Sequence, residues 1–176
     1  MRPITQAGLE RSALHYLERY AASAEMLRRV LLRRVETRCR AGAGEPEAFR
    51  GMVEAVVERA CRAGLVDDAA FAQAKVRSLR RRGGSARAIA AKLAAKGVDR
   101  GTVGEALAAE AGAEAGEDDE ENAARTFARR KRLGPWRRAA ATPEGRAREL
   151  ASMARAGFGF DLARRVIDGP GDEEAG

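Results

Sequence analysis

Residues 64–97 read GLVDDAAFAQAKVRSLRRRGGSARAIAAKLAAKG. Two apolar series run through this stretch, Phe71, Ala72, Val76 and Leu79 and then Ile89 and Leu93, at the three- and four-residue steps that put side chains on one face of an α-helix. Asp67-Asp68 stand where a helix begins, and Gly83-Gly84 stand where it must stop. Ser85 is placed to cap the next helix and Gly97 to end it. Thr102 and Glu105 form a T-x-x-E capping box for a short third helix through Leu107. The stretch therefore predicts a three-helix unit whose core is Phe71, Val76, Leu79, Ile89 and Leu93.

The same order of signals recurs on both sides. Upstream, Leu9, Ala13, Leu14, Leu17 and Tyr20 predict a helix over about 9–21, and Ser23 opens a second over about 24–35. A loop over 37–46 follows, and Phe49, Met52, Val53, Val56, Val57 and Ala60 give a third helix that ends at Gly64. Downstream, AGAEAGEDDEE (111–121) is a polar, acidic stretch, read as a solvated linker or a helix N-terminus favoured by the helix dipole. Helical spacing resumes through Ala124, Phe127, Ala128 and Lys131 and breaks at Gly134-Pro135. Thr142-Pro143 opens another helix, which runs to Gly157, and 161–167 forms a last short one. The middle-helix caps Ser23, Ser85 and Thr142 are 62 and 57 residues apart. The fold class expected is all-α, three tandem three-helix repeats in an elongated, curved array. The repeats are assigned to 1–66, 67–113 and 114–176, the last including the acidic linker.

Composition agrees with that reading. Of 176 residues 39 are alanine, the best helix former, while aromatics make up only 5%. Lys and Arg number 33, of which only four are lysine, against 26 Asp and Glu, a net charge of +7. The excess is uneven: residues 1–66 hold 12 bases and 8 acids, 67–113 hold 9 and 5, and 114–176 hold 12 and 13. No apolar run reaches membrane length, and the opening MRPITQAGLERS has no secretory h-region, so a cytoplasmic location without membrane contact is expected. Cys39 and Cys61 lie 22 residues apart with no CxxC partner, which fits reduced thiols rather than a zinc site.

Catalytic chemistry finds no purchase here. His15 is the single histidine and has no credible nucleophile to serve. Gly83-Gly84-Ser85 lacks the Gly-Lys-Ser/Thr ending of a phosphate loop, and capping suffices to explain Asp67 and Asp68. Neither an enzyme nor a cofactor nor a metal site is expected. A basic binding surface remains, assigned to Arg28, Arg29, Arg33, Arg81, Arg82, Arg87, Lys92, Lys96, Arg130 and Lys131, and suited to phosphates or to an acidic protein groove. The plain alternative is a solvated, charged face. Trp136 alone stands near a basic stretch, which argues against single-strand stacking.

These residues also carry a family resemblance. Gly64-Leu65-Val66-Asp67-Asp68-Ala69-Ala70-Phe71-Ala72 resembles the glycine, aliphatic, Asp-Asp, Phe-Ala signature of the bacterial RecX regulatory proteins. Arg82 to Val98 resembles their second signature: a basic-glycine turn, Ile89 and Leu93 four apart, then Lys96-Gly97-aliphatic. Ala13 to Leu17 with Ser23 and Leu27 to Leu31 is similar to the family's opening, and Ala154 to Phe158 to its closing Arg-Gly-Phe element. The chain departs at 37–48, in PWRRAAATPEG, and at Ala156, where the family has arginine. The resemblance implies three tandem three-helix repeats in which Gly64, Asp67, Asp68, Phe71, Ala72, Ile89, Leu93 and Gly97 are mainly structural. It further implies a protein that binds the RecA recombinase and its DNA filament; weak direct DNA binding and a monomeric state are expected besides. Such a protein restrains strand exchange, ATPase and coprotease activities, within homologous recombination, DNA repair and the SOS response. The alternative is an autonomous helical nucleic-acid-binding protein or transcriptional regulator that would place a helix in the major groove.

Overall fold

The structure, a computed structural model, describes residues 3–112 and 116–170, with backbone alone for 116–118. Among the described residues there is no strand, and nine α-helices follow in order: α1 Gln6–Leu17, α2 Ala24–Arg38, α3 Arg50–Arg62, α4 Asp68–Arg80, α5 Ala86–Ala95, α6 Arg100–Ala111, α7 Gly116–Lys131, α8 Pro143–Arg155 and α9 Phe160–Asp168. The all-α reading and the grouping of helices by threes hold. No helix of the described residues is long and apolar enough to cross a membrane.

The chain divides into two compact units. One is Met1–Ala72 with Leu93–Thr102, and the other is Gln73–Lys92 with Val103–Gly176. In the first, Leu9 and Ala13 of α1, Leu27, Leu31 and Val35 of α2, and Val53, Val56, Val57 and Ala60 of α3 close a core with Ile4 and Val66. Each set follows the helical step that the sequence displays. In the second, Ala123, Ala124 and Ala128 of α7 pack with Met153 of α8, Phe158, and Ala163, Val166 and Ile167 of α9. Small residues let these helices approach closely, so fewer large side chains fill the volume. Of the five core residues expected over 71–93, Phe71, Val76, Ile89 and Leu93 are buried and Leu79 is half-buried.

Several boundaries differ from the sequence expectation. Thr5 caps α1 by accepting from the Gly8 amide at 3.2 Å, so this helix starts three residues earlier than its apolar series does. It also stops before Tyr20, which is exposed and tilts against Tyr16 at 5.2 Å between ring centres. Helix α2 continues into the expected loop and ends in a wide turn over Cys39–Ala43, where Gly42 takes φ +92°. The Thr102–Glu105 box is not the start of α6. Asp99 caps it instead, accepting from the Thr102 amide at 3.0 Å and from the Thr102 hydroxyl. Of the two readings of the acidic stretch, the helix start holds over its second half, because α7 begins at Gly116. The side chains of Glu117 and Asp118 lie outside the described residues.

Candidate regulatory surface

The signature residues are joints. Asp67 accepts from the Ala70 amide at 2.9 Å and so caps its own helix, α4. Asp68, one residue on, reaches α2 and accepts from the Ala24 amide at 2.8 Å. Ser23, fully buried, accepts from the Met26 amide at 3.1 Å and donates to the Lys96 carbonyl at 2.5 Å. The start of α2 is thus held by its own serine, by a carboxylate of α4 and by the end of α5. A helix start leaves amides without partners, and here the carboxylate also meets the positive end of the helix dipole. Replacing Asp67 or Asp68 by alanine should each lower stability by about 1 kcal/mol in a chemical denaturation series, with partner binding retained by the folded protein.

The second unit repeats the construction. Ser85, also fully buried, accepts from the Ala88 amide at 3.1 Å and donates to the Ala156 carbonyl at 2.6 Å. Glu120 of α7 accepts from the Ala86 amide at 3.1 Å, in the role Asp68 plays for Ala24. Gly97 and Gly157 end α5 and α8 at φ +77° and +93°. A Cβ on Gly97 would stand 2.2 Å from Glu25, and one on Gly157 would stand 2.6 Å from the Ser85 hydroxyl. The third such cap, Thr142, is exposed and accepts from the Gly145 amide at 3.0 Å. Pro143 follows it and has no amide to satisfy.

The cations separate into engaged and open groups. Arg28 grips Glu54 through Nε at 2.8 Å and Nη2 at 3.0 Å, and Glu25 through Nη1 at 2.5 Å. Arg29 donates to Glu25 at 2.7 Å and to the Ala95 carbonyl at 2.8 Å. These two, expected to face a ligand, have partners within the first unit. The Arg28 hydrogen bond, helped by Arg29, holds the Glu25 carboxyl below its ordinary range against the opposing effect of burial. A carboxyl with a depressed folded-state pKa stabilises above its unfolded value, and that contribution is lost as pH falls through the folded value. Lys96 is half-buried, with its ammonium 4.0 Å from the Met26 sulfur. Arg130 lies over the Phe127 ring at 5.9 Å. Arg33, Arg81, Arg82, Arg87, Lys92 and Lys131 are exposed, and their charged heads have no hydrogen bond or ion pair among the described residues.

Sequence reasoning missed Arg80. It stands in the same basic run as Arg81 and Arg82, yet its side chain is only 9% exposed. Its Nε faces Asp119 at 3.0 Å, and its Nη1 donates to Glu120 at 2.5 Å and to the Gly84 carbonyl at 3.1 Å. Among the described residues no cluster of three or more His, Cys, Asp or Glu side chains could hold a metal. His15 is exposed, with Nδ1 3.9 Å from Glu18.

Residues 67–107 match the family model described as RecX, second three-helix domain. The regulatory protein RecX of Myxococcus xanthus is 47% identical over 168 residues, which cover 95% of this chain and 88% of that protein. Regulatory protein RecX of Agrobacterium fabrum is 32% identical over 156 residues, 89% of this chain and 79% of the relative. The crystal structure of RecX from Lactobacillus salivarius superposes with a TM-score of 0.68 over 92% of this chain and 94% of that one at 16% identity, a likeness of fold. A signature that builds two-sided joints between helices, a matched second domain and near full-length relatives agree: the chain belongs to the RecX family of regulatory proteins.

Proposed function

We propose that this protein binds the RecA recombinase and its DNA filament and restrains strand exchange, ATPase and coprotease activities, without catalysis of its own. The family resemblance supplies the partner. The observation that carries the reading is the exposed group Arg81 and Arg82 just past α4, Arg87 at the start of α5 and Lys92 in its last turn, whose charged heads have no partner among the described residues. Guanidinium forks left open in this way suit the phosphates and carboxylates of a nucleoprotein filament. A ligand that touches several protomers gains effective concentration without any one strong contact. If it binds one filament state better than another, it shifts the population toward that state.

Binding to RecA–DNA filaments and to bare DNA at matched salt is the deciding comparison. Preference for filaments supports the reading, and equal or better binding to bare duplex overturns it in favour of an autonomous nucleic-acid-binding protein. Charge reversal of Arg81, Arg82, Arg87 and Lys92 to glutamate should slow association, relieve inhibition of strand exchange and weaken the salt dependence. If all four face phosphates, the slope of log affinity against log salt drops by about three. Lys96 is left out of this variant because it is half-buried, with its ammonium against the Met26 sulfur. Retained inhibition with an unchanged salt response would remove this surface from the mechanism.

A further inference from the structure

The first unit holds a cleft between α1 and α2 with a volume of about 430 Å³. Arg11 and His15 of α1 and Arg34 and Arg38 of α2 line it, together with Thr5 and Ser12, and no carboxylate does. Ile4, Leu9 and Val35, all buried, form its floor. Elsewhere in this unit arginines meet acids: Arg28 with Glu25 and Glu54, Arg50 with Glu47, Arg59 with Glu10, Arg62 with Glu58. Arg11, Arg34 and Arg38 have no ion pair or hydrogen bond from their side chains among the described residues. The acids nearest in sequence on α1 are otherwise placed. Glu10 is held by Arg59 at 2.8 Å, and Glu18 lies beyond His15 at the helix end.

We propose that this cleft is a phosphate-binding site that grips the phosphodiester backbone of nucleic acid through Arg11, Arg34 and Arg38. Like charges gathered in a concave site with apolar walls focus a positive potential. Three guanidinium forks offer more donors than one carboxylate accepts, whereas a phosphate has oxygens for more than one fork, and a strand presents phosphates in series. The apolar floor suits the face of a sugar. No Phe, Tyr or Trp ring lines the cleft and His15 is its one imidazole, so the three guanidinium groups make the main contact, with the backbone, which carries no base sequence. The site stands apart from the recombinase reading, because bare nucleic acid is enough to fill it.

The test uses the full chain and labelled mixed-sequence oligonucleotides, single- and double-stranded, titrated over a range of salt with no recombinase present. Replacing Arg11, Arg34 and Arg38 together by glutamine should reduce the salt slope by about two for single strands and nearly three for duplex. A control carrying Arg19→Gln, Arg100→Gln and Arg155→Gln loses the same charge from exposed positions away from the cleft and should keep the parental slope. The single change Arg34→Glu, on an exposed residue, should weaken binding at least severalfold in protein whose circular dichroism is unchanged. Equal slopes for the cleft and control variants would overturn the site. So would binding of inorganic phosphate or polyglutamate that depends on these arginines while DNA binding does not, which would assign the cleft to a free anion or an acidic protein.

Discussion

Arg80→Ala is expected to lower stability by about 3–5 kcal/mol, read as a shift in the denaturation midpoint at constant slope. Its side chain is only 9% exposed and faces Asp119 at 3.0 Å and Glu120 at 2.5 Å. Removing it leaves two carboxylates in a partly dry site without their cation, and that uncompensated charge is the costly element. It also removes the donor to the Gly84 carbonyl, and Glu120, which accepts from the Ala86 amide, loses the cation that orients it. Arg146→Ala is the comparison. That residue meets Asp168 at 2.6 Å, but both side chains are about 40% exposed, so water screens the pair and its loss should shift the midpoint far less. Equal shifts for the two variants would show that Arg80 is a surface residue in all but position.

Gly83→Ala should be nearly as severe, at about 3 kcal/mol, and Gly64→Ala much milder, at about 1 kcal/mol. Both glycines take left-handed backbone, φ +75° and +69°. A side chain therefore strains each of them by a similar amount. They differ in what lies beyond. A Cβ on Gly83 would stand 2.5 Å from the Phe127 amide nitrogen and 2.9 Å from the Ala123 carbonyl oxygen, the backbone of α7, while a Cβ on Gly64 meets nothing within 4 Å. A helix backbone cannot rotate aside as a side chain can, so α7 has to move. Thermal melts of the two variants separate conformational strain from close packing, and equal losses would mean that α7 does not rest on this turn.

The legible part of the fold was its local grammar. Ser23, Ser85 and Thr142 each cap the helix assigned to them, since a hydroxyl before an apolar helical series satisfies amides three residues away whatever the rest of the chain does. The boundary errors have local causes too. Two capping signals overlap near α6, Asp99 and the Thr102–Glu105 pair, and apolar spacing alone does not rank them. At α1 the apolar series begins at Leu9, a turn inside a helix whose first residues are polar or small.

The candidate site was less legible, because the charge on an arginine says nothing of its neighbours. In the run Arg80-Arg81-Arg82 three identical residues have different fates, one buried against α7 and two open. In Arg28-Arg29 both were expected to bind a ligand, and both are engaged within the first unit. Likewise Asp67 and Asp68 read alike as caps, yet one caps α4 and the other α2, 44 residues away. The sequence alone determined the helices, their order by threes and most of their ends, since these follow from interactions within four residues. Tertiary structure alone decided which charges are joints and which are open. Pairing and desolvation depend on what the folded chain brings within about 4 Å, and no spacing in the sequence encodes that distance.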